Sequence, residues 1–169
     1  MSPCEGGFGA RPAKLVATPM LCELGTCMLI STRPATLDDI DAIVQVLCMV
    51  SGNPDLAEDF RHDALEQVRG EIANSITYVI CAADVRVGRL RVVRTTDYIE
   101  IAGLQIDPTW QGQSIGTVVI NEILDEGRRA SLPVELDVDK DNPNAERLYM
   151  RLGFHRVGEN GKDYRMRRV

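Results

Sequence analysis

The sequence lacks the features that mark several large classes of protein. No apolar run approaches the roughly 20 residues that cross a bilayer, which argues against a membrane partner. Basic residues are outnumbered, with 19 Lys and Arg against 25 Asp and Glu and a net charge of -6 at pH 7. Because binding to nucleic acid needs clustered positive charge, we expect no nucleic-acid partner.

The cysteines and the first residues give no sign of secretion. The 5 cysteines are an odd set without a CxxC pair, so we expect neither disulfides nor a metal site, and a cytoplasmic location fits best. Residues 1–27 lack periodicity and also lack the basic start and apolar centre of a signal peptide. We predict a flexible N-terminal extension over 1–27 and one domain over 28–169. Met1 and Met28 both stay open as the translation start.

What is present is the composition of an ordinary globular domain. With 44% hydrophobic and 26% charged residues, a chain of 169 residues can bury one core. A strand is predicted over 28–32, and a capping-box variant at Thr36–Asp39 then starts a helix. A second helical stretch follows, with Leu65, Val68 and Ile72 on one face.

The spacing of apolar residues then changes to that of strands. The ranges 77–82, 87–94 and 99–106 are predicted to form a β-meander. Gly103 interrupts the third strand, which predicts a bulge or a close backbone approach there. Such a bulge would leave backbone groups unpaired next to the loop that follows.

That loop, within the segment LQIDPTWQGQSIGT at 104–117, leads into an amphipathic helix that runs to about Ala130. Gly112 and Gly116 let the backbone approach a ligand closely. The free amide groups of the first helical turn, which begins near Ser114, favour an anion together with the helix dipole. The pattern therefore predicts a phosphate-binding loop with a pyrophosphate as its natural occupant.

The last third of the chain continues the alternation of strands and helices. A strand is predicted over 133–138, Asn142-Pro143 is a typical helix start, and Gly153 is a typical helix end. A hairpin with its turn at Asn160-Gly161 closes the chain. The order β-α-α-β-β-β-α-β-α-β-β, with parallel strands on either side of the loop helix, predicts a mixed sheet.

Two segments, in this order, resemble the GNAT superfamily of N-acetyltransferases. Gln111-Gly-Gln-Ser-Ile-Gly116 is similar to its (Gln/Arg)-x-x-Gly-x-(Gly/Ala) loop, and NPNAERLYMRLGF at 142–154 is similar to its later Asn…Ala…Leu-Tyr…Leu-Gly-Phe segment. The resemblance covers about 28–169. It implies a GNAT-like single α/β domain with a mixed, mostly antiparallel sheet of six to seven strands flanked by about four helices.

The same resemblance implies an activity. A GNAT protein is an acyltransferase that moves the acetyl group of acetyl-CoA to a primary amine by direct attack, through a tetrahedral intermediate and without a metal. The acceptor would be a small molecule or a peptide amine, and a homodimer is common in the family. Region 51–74 is acidic, which is compatible with a cationic acceptor, although a solvated acidic surface is the favoured interpretation.

Cosubstrate-binding residues follow from the resemblance. The backbone of 104–106 would pair with the pantetheine arm, the loop would hold the pyrophosphate, and Asn142 would add a contact beside its role as a helix cap. The assigned residues are Leu104, Gln105, Ile106, Gln111, Gly112, Gln113, Ser114, Ile115, Gly116, Thr117 and Asn142. Because Ser114 stands where the family usually has its central glycine, we expect weakened or altered binding rather than its loss.

Three residues are candidates for catalysis. An attacking amine must be unprotonated and so profits from a base. Glu100, eleven residues before Gln111, and Asp137, five residues before Asn142, match base positions in different members of the family. Each could instead be an exposed strand carboxylate. Tyr149 matches the family's general acid, although a core tyrosine with a hydrogen-bonded hydroxyl is the alternative.

Two other functions stay open. The stretch 112–116 also satisfies G-x-S-x-G, and His155 lies downstream of it with Asp137, Asp139 and Asp141 between, which is the order of a serine hydrolase that uses Ser114. The strand that ends at Pro108 and the upstream meander argue against that function. The other alternative is a non-catalytic acyl-CoA-binding module.

Overall fold

The computed structural model of the protein describes residues 18–21 and 27–169, with side chains from residue 28 onward. Its strands are β1 (Thr18–Leu21), β2 (Cys27–Pro34), β3 (Ser75–Ala82), β4 (Val85–Arg94), β5 (Ile99–Ile106), β6 (Val134–Asp139), β7 (His155–Asn160) and β8 (Asp163–Arg168). Its α-helices are α1 (Ile40–Ser51), α2 (Ala57–Val68), α3 (Ile115–Ala130) and α4 (Pro143–Arg151). Short 3-10 turns precede the first three helices, at Leu37–Asp39, Pro54–Leu56 and Pro108–Trp110.

The strands form one sheet in the order β1-β2-β3-β4-β5-β6-β8-β7. Strands β5 and β6 run parallel, and every other neighbouring pair in this order runs antiparallel. Helix α3 makes the crossover between the parallel strands, as the sequence predicts. The predicted mixed, mostly antiparallel sheet with four helices is confirmed, and β1 adds a strand to the six or seven expected.

Helix α1 follows Asp39, whose carboxylate binds the residues that precede the helix. Asp39 accepts hydrogen bonds from the backbone N–H of Thr36 at 2.8 Å and from its hydroxyl at 2.9 Å. This is the acidic half of the predicted capping box. Gly52, in the left-handed conformation with φ +67°, ends the helix.

Helix α2 ends earlier than the apolar spacing predicts. Its last residue is Val68, and Gly70 then takes φ +75°, a left-handed conformation that an α-helix cannot continue through. Ile72 therefore lies after the helix, and its predicted place on the apolar face of that helix was wrong.

Helices cover both faces of the sheet. Helices α3 and α4 pack on one side, called the α3/α4 face, and α1 and α2 pack on the other, called the α1/α2 face. The main core on the α3/α4 face includes Ile99, Ile101, Leu136, Ile115, Val119, Ile120, Ile123 and Leu124. A smaller core on the α1/α2 face includes Ile40, Ile43, Val44, Leu47, Ala64 and Val79.

A β-bulge interrupts β5. Arg91 of β4 lies opposite Gly103, whereas the next residue, Val92, lies opposite Ile101, so Ala102 is the extra residue. The bulge that Gly103 predicts is confirmed. Because one residue is inserted, Ile101 before the bulge and Leu104 after it both pack on the α3/α4 core.

The first described strand lies within the predicted N-terminal extension. Strand β1 pairs antiparallel with β2. Residues 1–17 and 22–26 lie outside the described residues, so the extension over 1–27 stays a prediction. Within 27–169, no helix is long and apolar enough to cross a lipid bilayer.

Candidate functional site

The site begins where β5 and β6 separate. Within the described residues, the pairs between these parallel strands are Ile99 with Val134, Glu100 with Glu135 and Ile101 with Leu136. The pairing stops at the bulge, and the two strands diverge beyond it. A cleft of about 380 Å³ opens there, with its walls on β4, β5, β6 and α4.

One edge of β5 faces this cleft with its backbone. On their other side, Leu104, Gln105 and Ile106 pair with Leu90, Arg89 and Gly88 of β4. A strand that is paired on one side only can accept an extended ligand as if it were the next strand. The predicted pantetheine-binding residues Leu104 and Gln105 line the cleft.

The predicted phosphate loop lies between the end of β5 and α3. The Gln111 side-chain amide donates to the carbonyl oxygen of Ile106 at 3.0 Å and so ties the loop to the strand. Gly112 has φ +75°, and a Cβ built there would have no atom within 4 Å, so space is open beside the loop backbone. Ile115, Gly116 and Thr117 form the first turn of α3, whose amide groups lack helical partners.

Ser114 adopts the left-handed conformation, with φ 59° and ψ 10°, immediately before α3. Glycine takes this conformation at little steric cost, whereas a residue with a Cβ is strained there. The chain therefore needs a positive φ at the position where the related family usually has glycine. Ser114 meets the backbone requirement at a cost in conformational energy.

Tyr149 approaches the cleft from the α3/α4 face. It lies on α4, packs against the main core and lines the cleft. Its ring meets that of Phe154 edge to face, with centroids 5.9 Å apart, which fixes its orientation. Burial raises the pKa of the Tyr149 phenol, so the hydroxyl stays protonated at neutral pH.

Glu100 and Asp137 reach the same cleft from the α1/α2 face, because strand residues alternate between faces and their neighbours Ile101 and Leu136 point into the main core. Both carboxylates contact one guanidinium. Arg165 lies 2.6 Å from Glu100 Oε1 and 3.2 Å from Asp137 Oδ2. The two candidate bases therefore belong to one cluster around Arg165.

Glu135 and Arg167 extend this cluster along β6 and β8. Glu135 is 5% exposed and accepts hydrogen bonds from Arg165 at 2.7 Å and from Arg167 at 2.6 Å. Burial opposes ionisation of Glu135, but these two hydrogen bonds outweigh it and lower its pKa. The side chain of Arg165 is only 22% exposed, so this arginine lies within the cluster and not on a solvated strand face.

Asn142 serves as the N-cap of α4. Its Oδ1 accepts from the backbone N–H of Ala145 at 3.1 Å, and the residue also lines the cleft. The predicted helix start is confirmed. Its predicted contact with the cosubstrate stays a prediction.

The geometry speaks against a serine hydrolase. His155 begins β7, the edge strand of the sheet, and β8 and β6 lie between it and β5. Ser114 lies at the start of α3, next to the end of β5, and a 3-10 turn separates it from that strand. A nucleophile elbow needs a strand that runs directly into the serine, and this chain has none there. No group of three or more metal-binding side chains occurs among the described residues either.

Comparison with known proteins identifies a family. The model of the acetyltransferase (GNAT) family matches residues 43–154. N-alpha-acetyltransferase RimI of Mycobacterium tuberculosis is 38% identical over 80 residues, which is 47% of this chain and 49% of that protein. An uncharacterized protein of Mycobacterium leprae is 33% identical over 94 residues, which is 52% of this chain and 26% of that protein. The matches thus span half or less of these relatives.

The fold has solved counterparts. The PaiA N-acetyltransferase of Thermoplasma acidophilum, whose crystal structure is a complex with coenzyme A, superimposes with a TM-score of 0.68. The match covers 82% of this chain and 98% of that one at 15% identity. A likeness at this level of identity establishes the shared fold.

Proposed function

The chain belongs to the acetyltransferase (GNAT) family, and we propose that it transfers the acetyl group of acetyl-CoA to a primary amine. The cleft between β5 and β6 carries this proposal. A phenol reaches it from one face of the sheet and two carboxylates reach it from the other, so a proton donor and proton acceptors lie on opposite sides of one reaction space.

Acetyl-CoA supplies the acetyl group as a thioester. The free edge of β5, at Leu104, Gln105 and Ile106, would bind its extended arm through backbone hydrogen bonds. The amides of the α3 first turn and the loop 111–114 would bind its pyrophosphate. A backbone amide at the bulge would polarise the thioester carbonyl.

The groups on the two faces of the sheet have separate roles in proton transfer. Glu100 or Asp137 accepts the proton that the amine loses, directly or through water. The amine nitrogen bonds to the carbonyl carbon, and the carbon–sulfur bond breaks with its electron pair left on sulfur. Tyr149 then donates its hydroxyl proton to the thiolate and regains one from solvent, to which the base releases the proton that it accepted. The products are the N-acetylated amine and free CoA.

Calorimetric titration with acetyl-CoA and with CoA, followed by thiol release on a panel of amines, tests the proposal. We expect micromolar binding and release of one thiol per acetylated amine. Absence of acetyl-CoA binding would refute the proposal. Binding without thiol release on any amine would favour the non-catalytic acyl-CoA-binding module instead.

Separate variants distinguish the two candidate bases. Glu100→Gln and Asp137→Asn each remove one carboxylate from the cluster around Arg165, and Asp125→Asn on α3 is the control. We expect the variant of the true base to lose about 100-fold in kcat, while acetyl-CoA affinity is retained. Wild-type kcat in both variants would exclude a base at either position.

A further inference from the structure

Arg89 is a buried cation without a partner among residues 28–169. It lies on β4 opposite Gln105 of β5 and is only 7% exposed. Its Nε is buried without a hydrogen-bond partner, and the described residues form no ion pair with it. The opposite charge that acts on it is that of Asp63, on the exposed surface of α2.

Two more unsatisfied polar atoms lie beside Arg89. The Nε of Arg91 and the Oε1 of Gln105 are also buried without partners. Both residues line the cleft, on the same α1/α2 face as Glu100 and Asp137. Three polar side chains in one patch thus present hydrogen-bonding atoms that the protein itself does not use.

Gly103 makes room for the Arg89 guanidinium at the bulge. A Cβ built at Gly103 would lie 3.0 Å from Arg89 Nη2 and 3.6 Å from the Oε1 of Gln105. The guanidinium therefore lies over the bulge, where the sheet opens. Gly103 itself lines the cleft, so Arg89 Nη2 lies directly beside it.

The buried charge of Arg89 destabilises the fold, and no ion pair within the described residues compensates for it. Burial, together with the neighbouring charge of Arg91, lowers the pKa of Arg89 to about 10, so Arg89 stays cationic at neutral pH. A buried cation without a partner is destabilising relative to an apolar side chain of similar size. A buried, perturbed charge beside a cleft marks a candidate functional site.

We propose that Arg89 and Arg91, with Gln105, bind a carboxylate carried by the acceptor, so that the acceptor is an amino acid or a similar amine with a carboxylate. The proposal rests on the acetyltransferase function proposed above. Strand rise of about 3.3 Å per residue puts Gly103 roughly 7 Å along β5 from Glu100, allowing for the bulge. The amine would thus lie at the carboxylate cluster and the acceptor's carboxylate over the bulge, with several bonds between them.

Pairs of amines test this proposal. Each pair is an ω-amino carboxylate, from glycine to 6-aminohexanoate, and its primary amide, assayed by thiol release and by calorimetric binding to the CoA-saturated protein. We expect at least one carboxylate to exceed its amide by about ten-fold or more in kcat/KM or affinity, as charge-assisted hydrogen bonds imply. If no pair shows a preference for the carboxylate, including when no member binds, the proposal is overturned.

Variants of Arg89 test whether the preference for the carboxylate depends on this side chain. Arg89→Met should abolish the carboxylate preference and raise the Tm, because an unpaired buried charge is removed, and Arg89→Lys should keep part of the preference. Arg129→Gln, an exposed arginine of α3, is the control and should change neither. A lower Tm together with an intact preference in Arg89→Met would mean that Arg89 is structural. Acetyl-CoA binding, measured in parallel, reports on the proposed function independently.

Discussion

At the level of single residues, Tyr149 is the clearest test of the chemistry. We expect Tyr149→Phe to lower kcat about 10- to 100-fold with unchanged acetyl-CoA affinity, because the thiolate loses its proton donor while the ring remains packed. Thiol release measures kcat, and calorimetry measures the affinity. Burial raises the pKa of this phenol above the ordinary tyrosine value of about 10. Wild-type activity that depends on the Tyr149 proton should therefore be lost only above about pH 10.

Tyr164→Phe is the matched control for this substitution. Tyr164 lies on β8 with the Arg156 guanidinium 3.6 Å from its ring centroid, and it is not among the residues that line the cleft. Its variant should keep wild-type kcat. Wild-type turnover in Tyr149→Phe would leave Tyr149 as a core residue only.

Ser114 gives a second prediction about one residue. Ser114→Gly removes the Cβ from a left-handed position, so the free energy of unfolding should rise by about 0.5–1 kcal/mol and acetyl-CoA should bind at least as tightly. Chemical denaturation and calorimetry measure the two quantities. Ser131→Gly, at φ 56° beyond the other end of α3, is the control: it should be stabilising to the same degree without a change in affinity. Much weaker acetyl-CoA binding in Ser114→Gly would contradict this interpretation of the loop.

At the level of elements, the close approach of β4 and β5 depends on Gly88. A Cβ at Gly88 would lie 2.5 Å from the carbonyl oxygen of Gln105, so the two strands would have to move apart. We expect Gly88→Ala to lower the free energy of unfolding by about 1–3 kcal/mol in urea denaturation. Acetyl-CoA affinity should fall as well, because the edge of β5 that faces the cleft shifts.

Gly158→Ala provides the comparison within the same sheet. A Cβ at Gly158, on β7, meets no atom within 4 Å. Its variant should stay within about 0.5 kcal/mol of the wild type in stability and bind acetyl-CoA normally. If Gly88→Ala and Gly158→Ala were equally stable, strands β4 and β5 would accommodate the added methyl group without a loss of stability.

At the level of the whole molecule, Asp39 joins separate parts of the fold. Its carboxylate is fully buried and accepts from Arg33 of β2 at 2.7 and 2.8 Å and from Arg86 of β4 at 2.7 Å. The hydrogen bonds from Arg33 are the largest reason why the pKa of Asp39 lies well below its usual range. One side chain thus links the start of α1 to two strands.

The depressed pKa predicts how stability depends on pH. A carboxylate with a lower pKa in the folded state contributes stability above its unfolded pKa of about 3.9 and loses that contribution as pH falls further. Wild-type stability should therefore fall below about pH 5, as measured by urea denaturation across pH. Asp39→Asn should lose about 2 kcal/mol at neutral pH and show a shallower acid dependence. If Asp39→Asn kept the wild-type dependence of stability on pH, the loss of stability in acid would be due to other groups.

Much of the fold could be predicted because its signals are local. The bulge in β5 follows from Gly103, the start of α4 from Asn142 and Pro143, and the buried face of α3 from its apolar spacing. Ile72 marks the limit of this reasoning, because apolar spacing continues past the left-handed Gly70 that ends the helix. The loop 111–116 was also readable, since its glycines and the helix after it are adjacent in the chain.

The sequence by itself determined the elements, their order, the loop and the residues Glu100, Asp137 and Tyr149 as candidates. Only the tertiary structure decided which charges meet. Arg165 contacts Glu100 across 65 positions of the chain, and the register of β4 against β5 places Arg89 over the bulge at Gly103. Spacing along the chain reports helix and strand periodicity, whereas side chains on different strands meet according to strand order and register, which no local pattern encodes.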